Sequence, residues 1–432
     1  MKNILKTLLL MLLLAGVVSF VGCKDDEEDD VTPSTEQEHS GAITADETWT
    51  ADQIHYIKGR CWVENGATLT INPGTIIKGR TGTEANAAAL IIARGSDLIA
   101  EGSANQPIIF TSELDNIEIG QITGTNLDEN DRGKWGGLIM LGAAKISAED
   151  GDVEARIEGI PATESYGVYG GSDDNDNSGT VTYVSIRHGG ALLGEGNEIN
   201  GLTLGGVGNG TTIHHVEVVA NVDDGIEWFG GSVNVDDAIV YYQGDDALDI
   251  DMNFSGTVDN FIVIQGGDTD EGLEVDGPEG STYTDGQFTL KNGTLISNDG
   301  NGSAADLKSK TQGTIENCYF TGYSKFLKVR VSFSDTTNCT IKTDAYTNLT
   351  DASPKLIVQN SDIYSSNSPT IADMGSGYTG SCKTCGCVDS SIEGMIDAEF
   401  GSNGNSVTGS SSNGANTTEF ETWTWVDSNG NL

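Results

Sequence analysis

Carboxylates dominate the chemistry open to this sequence. Asp223, Asp224, Glu227, Asp245, Asp246, Asp249, Asp251, Asp270, Glu271, Glu274 and Asp276 fall within one stretch. They recur in a register: Asn200-Gly-Leu-Thr203, Asp224-Gly-Ile-Glu227, Asp246-Ala-Leu-Asp249 and Glu271-Gly-Leu-Glu274 begin 24, 22 and 25 residues apart. If each repeat is one coil of a stack, neighbouring carboxylates lie about 4.8 Å apart and repel unless protonated, offset or bridged by a cation. A hard cation with flexible, all-oxygen coordination suits such a column, and calcium is the natural one outside a cell. The expected calcium ligands are Asp224, Glu227, Asp249, Asp270 and Glu274, with Asp224 also serving its Asp-Gly turn. Asp174-Asn-Asp176-Asn-Ser178-Gly179 opens like a second calcium loop, with Asp174 and Asp176 as ligands, although the twelfth position is Ser185 rather than an acid. Ala305-Asp-Leu-Lys308 repeats the pattern 34 residues after Glu271, so about half a coil is inserted there and Lys308 should extend the column beyond Glu274.

The elements that must carry these groups are short β-branched runs closed by Gly, Asn or Asp, among them Ala67–Ile71, Gly74–Lys78, Ala89–Ala93, Asp97–Ala100 and Pro107–Thr111. Helix patterns are nearly absent. Runs of this length at a spacing of 22–25 residues predict an all-β, single-stranded parallel β-helix, a solenoid in which each coil gives two or three short strands. Right-handedness is the expectation for such folds. Alternation along a strand then turns Leu202, Ile226, Leu248, Leu273 and Leu307 inward and stacks Thr203, Glu227, Asp249, Glu274 and Lys308 outside. Trp228 should be core, and Phe229 the aromatic left to meet a ligand.

Composition excludes a nucleic-acid partner. The 432 residues hold 65 Asp+Glu against 22 Lys+Arg, and their net charge of −43 opposes phosphate. The chain divides into residues 1–23, a leader; 24–45, an acidic tether; 46–400, the β-helix; and 401–432, a Gly/Ser/Asn-rich loop and capping segment. In that last part Phe420-Glu-Thr-Trp-Thr-Trp425 reads as a strand folding over the C-terminal end. Cys318 and Cys339 are spaced for neighbouring coils, and Cys382-Lys-Thr-Cys385-Gly-Cys387 reads as a disulfide-pinned loop rather than a metal site. His39 sits at the edge of the tether. His214 and His215 should point to opposite faces of a strand and so cannot share a metal.

The leader carries Lys2 and Lys6, an apolar run from Leu8 to Val21, and Val21-Gly22-Cys23. This resembles a bacterial lipobox with Phe20 in the position usually held by Leu, and implies lipidation of Cys23. Lys24 followed by Asp25–Asp30 resembles the signal that sends Bacteroidota lipoproteins to the outer face of the outer membrane. Glu64–Thr75, Lys134–Leu138, Tyr183–Gly190 and Asn197–Gly206 resemble stretches of surface β-helix lipoproteins from the same bacteria, a family without an assigned reaction. A more local resemblance is to the polygalacturonases, β-helices that carry Asn-Thr-Asp and then Asp-Asp on adjacent coils, as Asn221-Val-Asp223 and Asp245-Asp246 do here. It implies Asp245 as general acid, with Asp223 and Asp246 holding the attacking water. The Gly-His-Gly and Arg-x-Lys that follow in that family are Glu271-Gly272 and Asp306-Leu-Lys308 here, leaving Lys308 to meet a sugar carboxylate. In a lyase, Lys308 or Lys310 would instead be the base beside bound calcium. The expected role is glycan or surface-component binding in a calcium-structured acidic groove. The enzyme is the second reading, and a structural subunit of an outer-membrane assembly the third.

Overall fold

The computed structural model describes residues 36–148, 151, 153–193, 198–364, 375–379 (backbone only), 386–387, 390–408 and 411–432. The leader, with Cys23, and most of the tether lie outside them, as do Cys382 and Cys385.

The described residues from Glu36 onward form a parallel β-helix with three faces, 26 of their strands joined in one sheet system. Face A begins with Glu47–Trp49, Thr68–Ile71 and Asp97–Glu101 and ends with Gly313–Glu316 and Leu356–Gln359. Face B runs from Ile76–Gly79 and Ile108–Ser112 to Tyr319–Thr321, Asp362–Tyr364 and Ser406–Val407. Between these ends the long strands Gly179–Arg187, Thr212–Val219, Asn234–Tyr241, Thr257–Gln265 and Phe288–Ser297 supply both faces by bending once. Each bend is a single residue in the left-handed region: Tyr183, His215, Asp237, Asn260 and Asn292, with φ of 50–57°. Asn and Asp tolerate that conformation better than most residues, which explains their recurrence at this corner. Face C stacks Leu138–Leu141, Leu202–Gly205, Ile226–Phe229, Leu248–Asp251, Leu273–Val275 and Ser303–Leu307.

Face C sets the register of the acidic column. Leu202, Ile226, Leu248 and Leu273 pair in sequence and are fully buried. Burying each is worth roughly 1.5–3 kcal/mol. The small residue before each aliphatic one has a steric cause: a Cβ on Gly225 would lie 2.4 Å from Val240 Cγ1 and 2.6 Å from the Ala247 carbonyl oxygen. Thr203, Glu227, Asp249 and Glu274 stack as the alternation requires. The next coil departs from expectation. Glu274 pairs with Asp306, and Val275 with Leu307, so Lys308 lies two residues further along. The inserted stretch 276–287 does not fix the register, which the core sets by seating Leu307 beside Val275.

Other expectations are corrected. The β-helix already includes Glu36–Ile43, inside the supposed tether: this strand pairs with Ile54–Val63, and His39 is buried against Trp49 and His55. Helices do occur, at Ala345–Thr350 and Ser390–Ser402, and the second buries Ile392, Ile396 and Phe400, an i, i+4, i+8 stripe. Cys339 pairs with Cys387, while Cys318 is a free thiol buried in the core, as is Cys61. Cys318 precedes an inward-facing strand, whereas Cys339 sits on the antiparallel hairpin Phe333–Asp335/Thr340–Ile341.

Ser406–Val407 extends face B beyond the expected boundary at residue 400, and Phe420–Trp425 neither forms a strand nor covers the end. The chain from Asn413 returns along the corner between faces A and B as a strap. Asn413 Nδ2 donates to the Asn360 carbonyl (2.8 Å), Gly414 N to the Asn317 carbonyl (2.9 Å), Ala415 N to Thr294 Oγ1 (2.8 Å) and Asn416 N to Asn260 Oδ1 (2.6 Å). Further back, Trp423 stands edge-on to Tyr183 at 5.5 Å. Phe420, Trp423, Trp425 and Val426 are buried against Val219, Ile239, Tyr241 and Ile262. Fully buried Glu217 accepts the backbone N–H groups of Trp425 (2.9 Å) and Val426 (3.0 Å), capping the short helix Trp425–Ser428.

Candidate functional site

The turns leading into face C carry the acids. Buried amides brace them: Asn221 Nδ2 donates to the Asp224 carbonyl (2.9 Å), Gln243 Nε2 to that of Asp245 (3.4 Å) and Gln265 Nε2 to that of Asp270 (3.2 Å). The inner acids then cap the next turn. Asp224 Oδ1 accepts from Asp246 N at 3.0 Å, and Asp246 Oδ1 from Glu271 N at 2.6 Å. The outer acids form a rim, with Asp223 half-buried and Asp245 and Asp270 exposed.

Rim and column border a pocket of about 650 Å³. One wall is acidic: Asp223, Asp224, Glu227, Asp245, Asp246, Asp249, Asp270 and Glu274, with Lys308 at its far end. The rest of the lining is largely apolar: Ile139 and Phe229 on face C itself, and Ile157, Leu193, Ile199, Met252 and Tyr169, the last from the hairpin Glu154–Arg156/Val168–Gly170, with Arg156, Glu158 and Glu198 among them. Phe229 is the partly exposed aromatic and Trp228 is core.

So many carboxyls in one recess cannot all stay ionised. Burial, then the charge of Asp245, raises Asp223 to about 6. Burial, then Glu274 and Asp224, raises Asp246 to about 11. Burial, with Asp276 and Glu279 behind it, holds Asp251 at about 8. Asp224, Glu227 and Asp249 are pushed well above the carboxylate range, chiefly by burial and next by the charge of Asp223, Asp224 and Asp251 respectively. Lys308 is hydrogen-bonded to Glu274, whose influence outweighs the effect of burial and raises the ammonium pKa.

Two groups of oxygens are close enough to hold a cation. In each of Asp223/Asp224/Asp245 and Asp224/Glu227/Asp249, one oxygen per residue lies within 4.8 Å of the others. Two nearby oxygens have no hydrogen-bond partner: Asp249 Oδ1, and Oδ1 of Asn200, whose amide nitrogen is bound to Glu227 and Thr203. Orphaned oxygens beside an all-oxygen donor set fit a hard divalent ion such as calcium.

The expected residues are thus only partly brought together. Asp224, Glu227, Asp249, Asp223 and Asp245 converge. Asp270 and Glu274 line the same pocket, Glu274 already paired with Lys308. Asp174 and Asp176 do not join a cluster among the described residues: Asp174 is paired with Lys145 at 2.6 Å, and Asp176 accepts from Ser178 Oγ at 3.2 Å. Asp246, expected to hold water, is 5% exposed and occupied with its turn. The sequence reading missed Asn200, which a ladder of polar residues preceding the small one could have flagged. It also missed Lys328, which pairs with Glu271 and, at 3.3 Å, with Asp306. Lys328 follows Asp306 by one coil, a signal hidden by the misplaced register of Lys308.

Fold and groove together define a parallel β-helix protein with a carboxylate-walled lateral recess. The chain belongs to the pectate-lyase-like β-helix domain family, whose model matches residues 41–424. No curated protein and no solved structure matches it. Membership fits a carbohydrate-related function.

Proposed function

We propose that the protein is a lipid-anchored surface protein that binds an extracellular glycan in the face C recess, with calcium organising the acidic wall. The observation that carries this reading is one recess lined by both stacked carboxylates and an aromatic ring. Calcium held at Asp224, Glu227 and Asp249 would cancel their repulsion and turn an anion-repelling surface into one that accepts hydroxyl or carboxylate oxygens. Phe229, two residues along the strand from Glu227 and on the same outer face, offers a ring face to a sugar. Anchoring through Cys23 and display on the outer membrane's outer face rest on the leader and the Lys24–Asp30 run, and a protein partner there is compatible with the same groove. Among the described residues, no helix is long and apolar enough to cross a membrane.

The binding reading is favoured over hydrolysis because Asp246 is spent on its turn and burial keeps its proton on, which removes it as a base. Asp223, raised to about 6 and beside Asp245, is what a hydrolase reading retains. Titration calorimetry with calcium, followed by acidic and neutral polysaccharides with and without calcium, tests both readings. Calcium-dependent binding of one glycan without new reducing ends supports binding. Cleavage that Asp245→Asn abolishes makes the protein an enzyme. No heat with any glycan, with calcium bound, leaves a structural role.

A further inference from the structure

Away from the recess, on the corner between faces A and B, three side chains from three elements meet beneath the strap. His215 Nε2 lies 3.3 Å from Glu419 Oε2, and His215 Nδ1 lies 3.5 Å from Asp237 Oδ2. One donor atom from each lies within 4.8 Å of the others. The meeting depends on the left-handed corner. His214 and His215 do not diverge as strand neighbours would, because φ of 55° at His215 turns its ring back to within 2.8 Å of His214 Nδ1.

Each of the three is oriented by a residue outside the trio. Asn260 Nδ2 donates to Asp237 Oδ1 at 2.5 Å, leaving Oδ2 for the His215 side. Asn416 Nδ2 lies 3.3 Å from Glu419 Oε1, leaving Oε2 for the same side. His214 holds His215 Nδ1. When Nδ1 donates its proton to His214 Nδ1, Nε2 presents a lone pair to a carboxylate oxygen of Glu419, and Asp237 Oδ2 receives no proton from this ring. Two lone pairs at that distance repel unless a cation lies between them. Outer partners that fix the far atom of each ligand are the usual surroundings of a bound metal. Asp236 and Asp259 add negative charge beside a cavity of about 550 Å³ lined by Asp236, Asp237, Asp259 and Glu419. Lys291 offsets one of them, pairing with Asp259 at 2.9 Å.

We infer that His215, Asp237 and Glu419 bind one divalent transition-metal ion, which clasps the strap to the coils. An imidazole nitrogen with two carboxylates selects an ion of the Zn²⁺ kind over calcium, and three protein donors leave a position for water.

The test uses the full chain in mild detergent, stripped with chelator and then given Zn²⁺ or Ca²⁺. Chymotrypsin reads strap release at Phe420, Trp423 and Trp425. Zn²⁺ should slow that cleavage at least tenfold, calcium should not, and calorimetry should find a Zn²⁺ site that Glu419→Gln removes. Glu419 is exposed, so this variant keeps its metal-free melting temperature. His215→Asn should behave alike, since Asn already occupies the same corner at Asn260 and Asn292. Asp224→Asn, in the recess, should retain the protection. Equal protection in wild type and Glu419→Gln would overturn the assignment. So would protection lost only in Asp224→Asn, or protection that follows pH with no response to Zn²⁺, which would identify an imidazolium bridging the two carboxylates.

Discussion

Asp224 accepts the backbone N–H of Asp246 at 3.0 Å, and Asp246 passes the same contact to Glu271 on the following coil. The acids that look most available in the sequence are therefore partly structural, each fixing the turn above it. The column Glu227–Asp249–Glu274 is free of that duty, and Asp249 Oδ1 has no partner.

Calcium should stabilise the protein through that column. At a hundredfold excess over its dissociation constant the gain is about 2.7 kcal/mol. Asp249→Asn should lose most of this gain while raising metal-free stability, because a repelling carboxyl is gone. Denaturant unfolding of both proteins in calcium and in chelator measures each half. An undiminished calcium response in the variant removes Asp249 from the site.

Metal-free stability should fall as pH rises from about 4 to 8. Asp223 and Asp306 are held at about 6 and Asp251 at about 8, all by burial first. The folded protein thus binds these protons more tightly than the unfolded chain, where a carboxyl titrates near about 4. Their contribution is complete below that value and is lost as pH rises through the folded values. Asp251→Asn should flatten the upper half of the decline in a melting series taken in chelator.

Glu217→Ala should cost about 3–5 kcal/mol, the usual penalty for breaking a buried pair from one side. Arg187 and Glu217 are both fully buried, with Arg187 Nη2 3.6 Å from Glu217 Oε2, and the same carboxylate caps Trp425–Ser428. Chymotrypsin should cleave the strap of this variant under conditions where wild type survives. An intact strap would mean that Phe420 and Trp423 hold it without the cap.

Cys61 and Cys318 should resist alkylation until the protein unfolds, since burial raises both thiols to about 12. Peptide mapping should recover Cys339 joined to Cys387. Cys339→Ser should lower stability by about 2–4 kcal/mol.

The stacked core of face C was legible because the coil repeats: polar, small, aliphatic, polar at Asp224–Glu227 and Asp246–Asp249 encodes turn, close approach, core and surface. Where repetition stops, so does legibility. Glu36–Ile43 looked like tether because its one-sided burial at His39 and Ile43 is masked by acids. Lys308 was misplaced by two residues because the insertion 276–287 hides where the next strand resumes. The groups of oxygens close enough to hold a cation depend on which carboxylates face one another across coils. That sets Asp223 against Asp245, and sequence spacing alone does not distinguish this from the engagement of Asp174 with Lys145.

The strap changes what kind of object the stack is. A solenoid held only by nearest neighbours can settle coil by coil as the chain is made. Here Glu217 waits for Trp425, 208 residues later, and Tyr183 waits for Trp423. The middle coils therefore cannot reach their final state until the strap itself has been made. A ribosome stalled shortly before Phe420 would leave a β-helix with Val219, Ile239, Tyr241 and Ile262 bare along one edge.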